Sequence, residues 1–150
     1  PEGVTRISEV STKGFRQSIS VSGKHLLTAD EPTNLGGTDR GPSPYQLVAA
    51  GLGACTSMTL RMYARRKNLP LTHVYTDVTH DKSHRTDCEH CSESGSRVDV
   101  FHRRIHLTGD HSDEQRQRLL EIADKCPVHQ TLESDIVVET ALMNRRGEPD

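Results

Sequence analysis

Two of the four cysteines lie in contexts that suit a reactive thiol. Cys55 lies within a long run of small and apolar residues, whereas Cys126 follows Lys125 and directly precedes Pro127, where a new helix can begin. A helix N-terminus and a nearby cation both favour the thiolate form of cysteine, and His129 would lie one turn further on. Taken alone, each cysteine is more often a small buried packing residue, because free cysteine is among the most buried residue types.

A pair of reactive thiols can reduce a peroxide in two steps. One thiolate attacks an oxygen of the peroxide and becomes a sulfenic acid, and the second thiol condenses with it to form a disulfide and release water. An external thiol then restores both thiols by exchange. Such a site needs one sulfur with a lowered pKa, a cation that stabilises it and an apolar pocket for the substrate.

A second group of candidate ligands falls in a polar segment, residues 80–96, which we predict to be a loop. The ligand-type side chains in it are those of His80, His84, Cys88, His90 and Cys91. The spacing of Cys88 and Cys91 is typical of half a zinc site, which His84 and His90 would complete; His102 or His106 on the next strand could also contribute. A local redox pair and a loop of ordinary reduced thiols are the alternatives.

The bulk composition excludes several classes of function. The chain has 150 residues, which suits a single domain over residues 1–150. The net charge is −2 with both signs interspersed and there is no tryptophan, so we expect no binding of nucleic acid. The longest nearly uncharged apolar run, residues 47–60, is too short to span a bilayer. We also find no apolar signal region at the start of the sequence, and we therefore expect a cytoplasmic protein whose cysteines are not a disulfide framework.

The pattern of apolar and turn residues predicts an α+β protein. Residues 4–29 read as a three-stranded meander with turns at Lys13–Gly14 and Ser22–Gly23, and residues 30–44 hold too many glycines and prolines for a regular element. Ser43 and Pro44 are the expected N-cap and first residue of a helix that runs to about Lys67.

The second half of the chain is predicted to continue with strands and shorter helices. We expect strands over residues 72–79 and 97–107, and a helix opened by a capping box at Ser112–Gln115. The prolyl bond after Cys126 ends this helix, and a short one follows from Val128 to Leu132. Residues Ile136–Glu139 read as a last strand.

Two segments resemble a known family. Residues 42–58, PSPYQLVAAGLGACTSM, are similar to the central helix of the OsmC / organic hydroperoxide resistance (Ohr) family, in which a proline-rich lead-in runs into small residues and then Ala-Cys. Residues 124–129, DKCPVH, resemble the second cysteine motif of that family. The loop GGTDRGP over residues 36–42 and the run TLRMYA over residues 59–64 are similar to the OsmC-like branch, which is sometimes fused behind an α/β-hydrolase domain.

This resemblance implies an OsmC-like fold, in which antiparallel sheets surround a long central helix in an intertwined homodimer with active sites at the subunit interface. It also implies a peroxidase that acts on organic hydroperoxides with an external thiol as reductant and no required cofactor. Cys55 would then be the attacking thiol and Cys126 the resolving thiol. The arginine of such a site comes from the N-terminal hairpin region, and the candidates are Arg16 and then Arg40.

The sequence departs from the family at the start of the central helix. The active members carry a glutamate there that helps to hold the arginine, whereas the matching positions here are Tyr45 and Gln46. Asp39 and Glu31 in the adjacent loop are the candidates to replace it. Two alternatives stay open. The first is a dimer with weak or no activity that binds a small ligand, or binds zinc at the Cys88/Cys91 loop. The second is a domain whose cysteines serve only in packing.

Overall fold

The first part of the chain is a small antiparallel sheet. A computed structural model of the protein describes residues 2–84 and 97–150. Strands β1 (Thr5–Glu9), β2 (Gln17–Val21) and β3 (His25–Ala29) pair in that order, with β2 in the middle. The tight connection between β2 and β3 is possible because Ser22 and Gly23 both take a positive φ. The predicted meander is thus confirmed.

The loop after β3 is organised by one buried carboxylate, that of Asp30. A short 3-10 helix, Thr33–Leu35, interrupts the predicted loop. The hydroxyl of Thr38 donates to Asp30 Oδ2 over 2.6 Å, and the backbone N–H groups of Glu31 and Arg40 donate to the same carboxylate over 2.8 and 3.1 Å. The Thr38 hydroxyl, assisted by these N–H donors, lowers the pKa of Asp30 to about 2, so that the loop is built around a permanent negative charge.

The long helix α1 (Pro44–Lys67) has both of the ends that the sequence predicts. Ser43 is its N-cap and accepts a hydrogen bond from the backbone N–H of Gln46, whose side chain in turn accepts from the N–H of Ser43. The helix ends at Asn68, which takes the left-handed conformation. Because local caps fix both the start and the end of this long helix, the residues along it keep fixed positions relative to the next strand.

Strands β4 (Leu71–His84) and β5 (Arg97–Gly109) form an antiparallel hairpin that packs on α1. Strand β4 is longer than predicted, and the expected loop at residues 80–84 is wrong. The reason is that the partner strand extends equally far, so that His80 pairs with Phe101 and His84 pairs with Arg97. Backbone pairing over this length outweighs the polar character of the side chains.

Helices α2 (Asp113–Ala123) and α3 (Pro127–Leu132) follow the hairpin, as predicted. The capping box at Ser112 is present. A cluster of buried side chains joins α1 to α2, and residues of β4 and β5 pack against it. The buried members are Leu60, Leu119, Ile122 and Ala123, and the packed neighbours include Val74, Ile105 and Leu107. This cluster fixes α2, and therefore the start of α3, against the middle of α1.

The predicted last strand at Ile136–Glu139 is wrong. This segment has no regular structure, and the side chain of Val138 is 83% exposed. A strand needs a neighbour for its backbone groups, and none of the described strands of this chain pairs with it. The apolar run at residues 136–139 predicted a strand, but a run of apolar residues does not show whether a neighbouring strand is available to pair with it.

The alternation of antiparallel hairpins and helices makes this an α+β structure, as the sequence predicts. None of the helices in residues 2–84 and 97–150 combines the length and the apolar character needed to cross a bilayer.

We expect Asp30→Asn to destabilise the protein at neutral pH, because the loop after β3 loses the buried, charged acceptor of several hydrogen bonds. Asp30 has its ionised form favoured by folding, so its contribution is present above the ordinary carboxyl pKa and is lost as the pH falls from about 4 to about 2. Thermal unfolding should therefore show a melting temperature several degrees lower for the variant at pH 7 and convergence with the wild type in acid.

The matched control is Asp39→Asn, in the same loop. Asp39 is exposed and has a φ of 55°, a conformation that asparagine also tolerates. An equal loss of stability in both variants at pH 7 would contradict the role given to Asp30.

Candidate dithiol site

The structure brings Cys55 and Cys126 together. Cys55 lies in the middle of α1 and is half-buried, whereas Cys126 is the N-cap of α3 and is fully buried. The side chain of Cys55 is close enough to that of Cys126 to contribute to lowering the pKa of the Cys126 thiol. Both residues are reduced, and their contact follows from the packing of α3 on α1.

Several donors converge on the sulfur of Cys126. The backbone N–H of His129 donates to it over 3.3 Å, and the hydroxyl of Thr56 lies 3.8 Å away. Burial alone would raise the pKa of Cys126, but the N–H of His129 and the side chains of Cys55 and Thr56, with the N–H of Val128, outweigh it and hold that pKa below its ordinary value. These donors favour the thiolate form of Cys126 although its side chain is buried.

Thr56, the residue after Cys55, links this sulfur to a cation. Its side chain is fully buried, and its hydroxyl donates to the carbonyl oxygen of Leu52 over 2.7 Å. The hydroxyl oxygen of Thr56 in turn accepts a hydrogen bond of 3.1 Å from Nη1 of Arg103. The hydroxyl therefore connects the guanidinium on β5 to the dithiol pair on the helices.

The guanidinium of Arg103 also holds the end of α2. Only 11% of this side chain is exposed. Nη1 donates to the carbonyl oxygen of Ala123 over 3.3 Å, and Nη2 is 2.9 Å from Oδ1 of Asp124. The carbonyl groups at the C-terminus of a helix lack partners within the helix, so an arginine there is well placed.

Sequence reasoning missed Arg103, although a signal was present. From Phe101 to Leu107, every second residue of β5 is partly buried and apolar except Arg103. A charged side chain at an inward position of an alternating strand needs a buried hydrogen-bonding partner, so this pattern could have identified Arg103 as a site residue. The sequence argument instead pointed to the N-terminal region for the arginine.

The two predicted arginines lie elsewhere in a single chain. Arg16 and Arg40 are exposed and line a small pocket beside Phe15 and Thr38, where the first sheet meets the loop. Their placement next to Cys55 stays a prediction, because it requires a second copy of the chain.

Tyr45 and Gln46, which stand where the family resemblance led us to expect a glutamate, both make contacts with other residues. Gln46 completes the capping box, and the ring of Tyr45 stacks on the imidazole of His80 at 4.2 Å between ring centres. Nε2 of His80 is 2.8 Å from Oδ1 of Asp99, and this hydrogen bond lowers the pKa of Asp99. An aromatic and histidine–carboxylate cluster thus stands at the place where an acid was expected.

The predicted metal ligands cannot be placed. Cys88, His90 and Cys91 lie outside the described residues, and the backbone of His84 ends β4. Of the further candidates on β5, Nε2 of His102 is 3.0 Å from an oxygen of Asp81, and Nε2 of His106 is 3.3 Å from one of Asp77. Within residues 2–84 and 97–150, no three histidine, cysteine or acidic side chains are grouped so as to hold a metal ion.

An open cavity of about 500 Å³ lies beside the dithiol site, between β5 and the helices. Leu52, Phe101 and Leu132 supply apolar walls, and Arg103 and Asp124 supply a polar side. Mostly apolar walls with a few polar groups are typical of sites for small molecules.

Comparisons with known proteins agree on one family. A family model described as "OsmC-like protein" matches residues 37–141, which include both cysteines of the site. No curated protein matches the chain significantly.

Solved structures share the fold at low sequence identity. An organic hydroperoxide resistance protein OsmC from Legionella pneumophila is 20% identical, with 87% of this chain and 90% of that chain covered and a TM-score of 0.62. An OsmC-like protein from Mycoplasma pneumoniae is 22% identical, with 87% and 88% covered and a TM-score of 0.61. An organic hydroperoxide resistance protein from Elizabethkingia anophelis with bound thiocyanate is 18% identical, with 89% and 90% covered and a TM-score of 0.64.

We expect the pKa of Cys126 to be lower than the ordinary value of a cysteine, because of the donors around its sulfur. The measurement is the ultraviolet absorbance of the thiolate as a function of pH, in a Cys88→Ser/Cys91→Ser background that removes the other two thiols. The low-pH step should disappear in Cys126→Ser and persist in Cys55→Ser, since serine at position 55 still offers a hydroxyl. If the low-pH step disappeared in Cys55→Ser and persisted in Cys126→Ser, the lowered pKa would belong to Cys55, and the prediction for Cys126 would be wrong.

Proposed function

Because this chain belongs to the OsmC-like protein family, we propose that it is a thiol-dependent peroxidase that reduces organic hydroperoxides. The observation that carries the proposal is that the packing of α3 on α1 brings the free thiol of Cys55 close to the buried sulfur of Cys126. Two sulfurs in contact can be oxidised to a disulfide with little movement of the backbone. Peroxide resistance in the descriptions of two structural neighbours supports the same class of chemistry.

The unequal burial of the two cysteines supports a division of roles. Cys55 is half-buried and can be reached by a substrate, whereas Cys126 is fully buried. Cys55 therefore attacks the peroxide: its sulfur bonds to the outer oxygen, the O–O bond breaks and an alcohol leaves with the thiol proton. The sulfur of Cys55 is oxidised to a sulfenic acid and the peroxide is reduced.

Cys126 completes the cycle. Its thiolate attacks the sulfur of the Cys55 sulfenic acid, the S–S bond forms, the S–O bond breaks and the hydroxide leaves as water with one proton. An external thiol then reduces the disulfide by exchange, through a mixed disulfide, and restores both thiols. No metal or organic cofactor takes part in these steps.

The neighbouring cavity suits the organic part of such a substrate. Its apolar walls, which include Leu52, Phe101 and Leu132, would take up an alkyl or aryl group and hold the peroxide end toward the polar side. This arrangement favours organic hydroperoxides over hydrogen peroxide, which has no apolar group to bury.

The active unit that we propose is a homodimer. Large apolar side chains are exposed at three places on the chain. They are Leu26 on the first sheet, Met58 and Met62 on α1, and Val137 and Val138 near the C-terminus. Exposed apolar surface of this extent marks an interaction site. In a dimer, Arg16 or Arg40 of a second copy would lie over the open side of Cys55 and stabilise its thiolate.

The alternative is a dimer with weak or no peroxidase activity that binds a small ligand, or zinc at the Cys88/Cys91 loop. The observation in its favour is the cluster of Tyr45, His80 and Asp99 where an acid was expected at the start of α1. Metal analysis of the purified, reduced protein tests the zinc version, which requires close to one equivalent of bound metal.

A small excess of cumene hydroperoxide should oxidise the two site cysteines to a disulfide. Intact-mass and peptide-mapping mass spectrometry should show the loss of two hydrogens, mapped to Cys55 and Cys126. Turnover with an organic hydroperoxide and a thiol reductant should be abolished in Cys55→Ser. In Cys126→Ser, Cys55 should stop at the sulfenic acid or be oxidised further.

The matched control is Cys88→Ser/Cys91→Ser, which should cycle like the wild type. Intact Cys55 and Cys126 after treatment, or oxidation confined to Cys88 and Cys91, would reject the peroxidase and direct attention to the loop.

The dimer makes a separate prediction. Sedimentation analysis should give twice the 16.7 kDa mass of one chain. Met62→Lys, which puts a charge on the exposed apolar stripe of α1, should shift the protein toward monomer, whereas Gln117→Lys on the exposed side of α2 should not. A monomeric wild type would reject the dimer, and with it the role of Arg16 or Arg40.

A further inference from the structure

We propose that Arg103 is a positioning residue for the second step of the cycle, and that it acts through Thr56 to keep the sulfur of Cys126 in its nucleophilic thiolate form. This inference rests on the proposed peroxidase function and deepens it. Arg103 Nη1 is 3.1 Å from Thr56 Oγ1, which is 3.8 Å from Cys126 Sγ. The guanidinium is thus one hydroxyl away from the sulfur.

The hydroxyl of Thr56 has a single hydrogen and a choice of two acceptors. These are the carbonyl oxygen of Leu52 at 2.7 Å and the sulfur of Cys126 at 3.8 Å. Because Arg103 donates to the hydroxyl oxygen, Thr56 is held as a donor toward one of these two acceptors. A negative charge on the sulfur draws the hydrogen toward it, since a hydrogen bond to an ionised acceptor is the stronger one.

The balance of charge around Cys126 favours the thiolate. Asp124 is the acid that faces Arg103, but its side chain is 65% exposed, so that water screens its charge more than that of the guanidinium. The imidazole of His129 lies between Asp124 and Glu133, with its ring nitrogens 3.9 Å from Oδ1 of Asp124 and 3.1 Å from Oε2 of Glu133. Lys125, the cation suggested by the sequence, has an exposed side chain. Cys55 is a further titratable group that interacts with this sulfur.

The effect on the reaction falls on the closure of the disulfide. The nucleophile in this step is the thiolate of Cys126, and a cysteine with an ordinary pKa is only a few per cent thiolate at neutral pH. The donors around Cys126 lower its pKa, and a change of one unit alters the thiolate fraction about tenfold in that range. Fast closure leaves less time for further oxidation of the Cys55 sulfenic acid.

The first test measures the pKa of Cys126 without any peroxide. It uses the ultraviolet absorbance of the thiolate in a Cys55→Ser/Cys88→Ser/Cys91→Ser background, into which Thr56→Val, Arg103→Gln and Arg103→Lys are introduced. Thr56→Val and Arg103→Gln should each raise the pKa by about one unit. Arg103→Lys, which keeps the charge, should restore part of the shift, and Thr56→Ser should behave like threonine because it keeps the hydroxyl.

The double variant separates a positioning role from a structural one. If Arg103 acts through Thr56, Thr56→Val/Arg103→Gln should shift the pKa no further than either change alone. Additive shifts, or an unchanged pKa in Arg103→Gln with folding intact by its melting temperature, would overturn the proposal. If Arg103→Gln does not fold, Thr56→Val and Arg103→Lys still decide the question.

The second test follows the cycle with the four native cysteines present. After one equivalent of hydroperoxide, the sulfenic acid of Cys55 in Arg103→Gln should close to the disulfide several-fold more slowly than in the wild type, and this closure rate is measured separately from the rate at which the sulfenic acid forms. Trapping with dimedone should therefore label more Cys55 than in the wild type. Equal closure rates would reject the proposal, whereas a wild type that forms neither sulfenic acid nor disulfide would reject the peroxidase and leave the pKa measurement to judge Arg103.

Discussion

The junction between α1 and α3 is built around the hydrogen bonds to one buried sulfur, that of Cys126. A sulfur that can become charged is costly to bury unless donors surround it, and the donors of Cys126 come from two elements. Cys55 and Thr56 approach from α1, and the backbone N–H groups of Val128 and His129 come from α3. The proline after Cys126 suits this arrangement, because it ends α2 and starts a new helix whose first N–H groups are free to turn back to the sulfur.

The same site needs a buried cation, and the fold accommodates it at a helix end. The guanidinium of Arg103 satisfies a carbonyl group at the C-terminus of α2, where the partial negative charge of the helix lies, and also supports Thr56. One side chain on β5 therefore connects three elements. A residue with these contacts would contribute to stability as well as to the proposed chemistry, so only measurements on the sulfur itself separate the two contributions.

The features that the sequence predicted are those with local signals, and the missed ones depend on distant partners. Ser43–Pro44, Ser112–Gln115 and Cys126–Pro127 each carry a cap or a break within a few residues, and all three helices begin where predicted. The length of β4 depends on β5, and the segment at Ile136–Glu139 has no strand beside it in this chain. Family resemblance identified Cys55 and Cys126, but the contact of Arg103 with Thr56 joins residues 47 positions apart.

The donors around Cys126 also have a consequence for the energy of electron transfer. Each interaction that stabilises the thiolate stabilises the reduced pair and does nothing comparable for the disulfide, in which the sulfur carries no charge. In the proposed cycle, this would raise the midpoint potential of the Cys55–Cys126 couple, so that its disulfide would be reduced more readily. In the proposed cycle, the same hydrogen bonds that speed disulfide formation would make the oxidised protein easier for a cellular thiol to reduce.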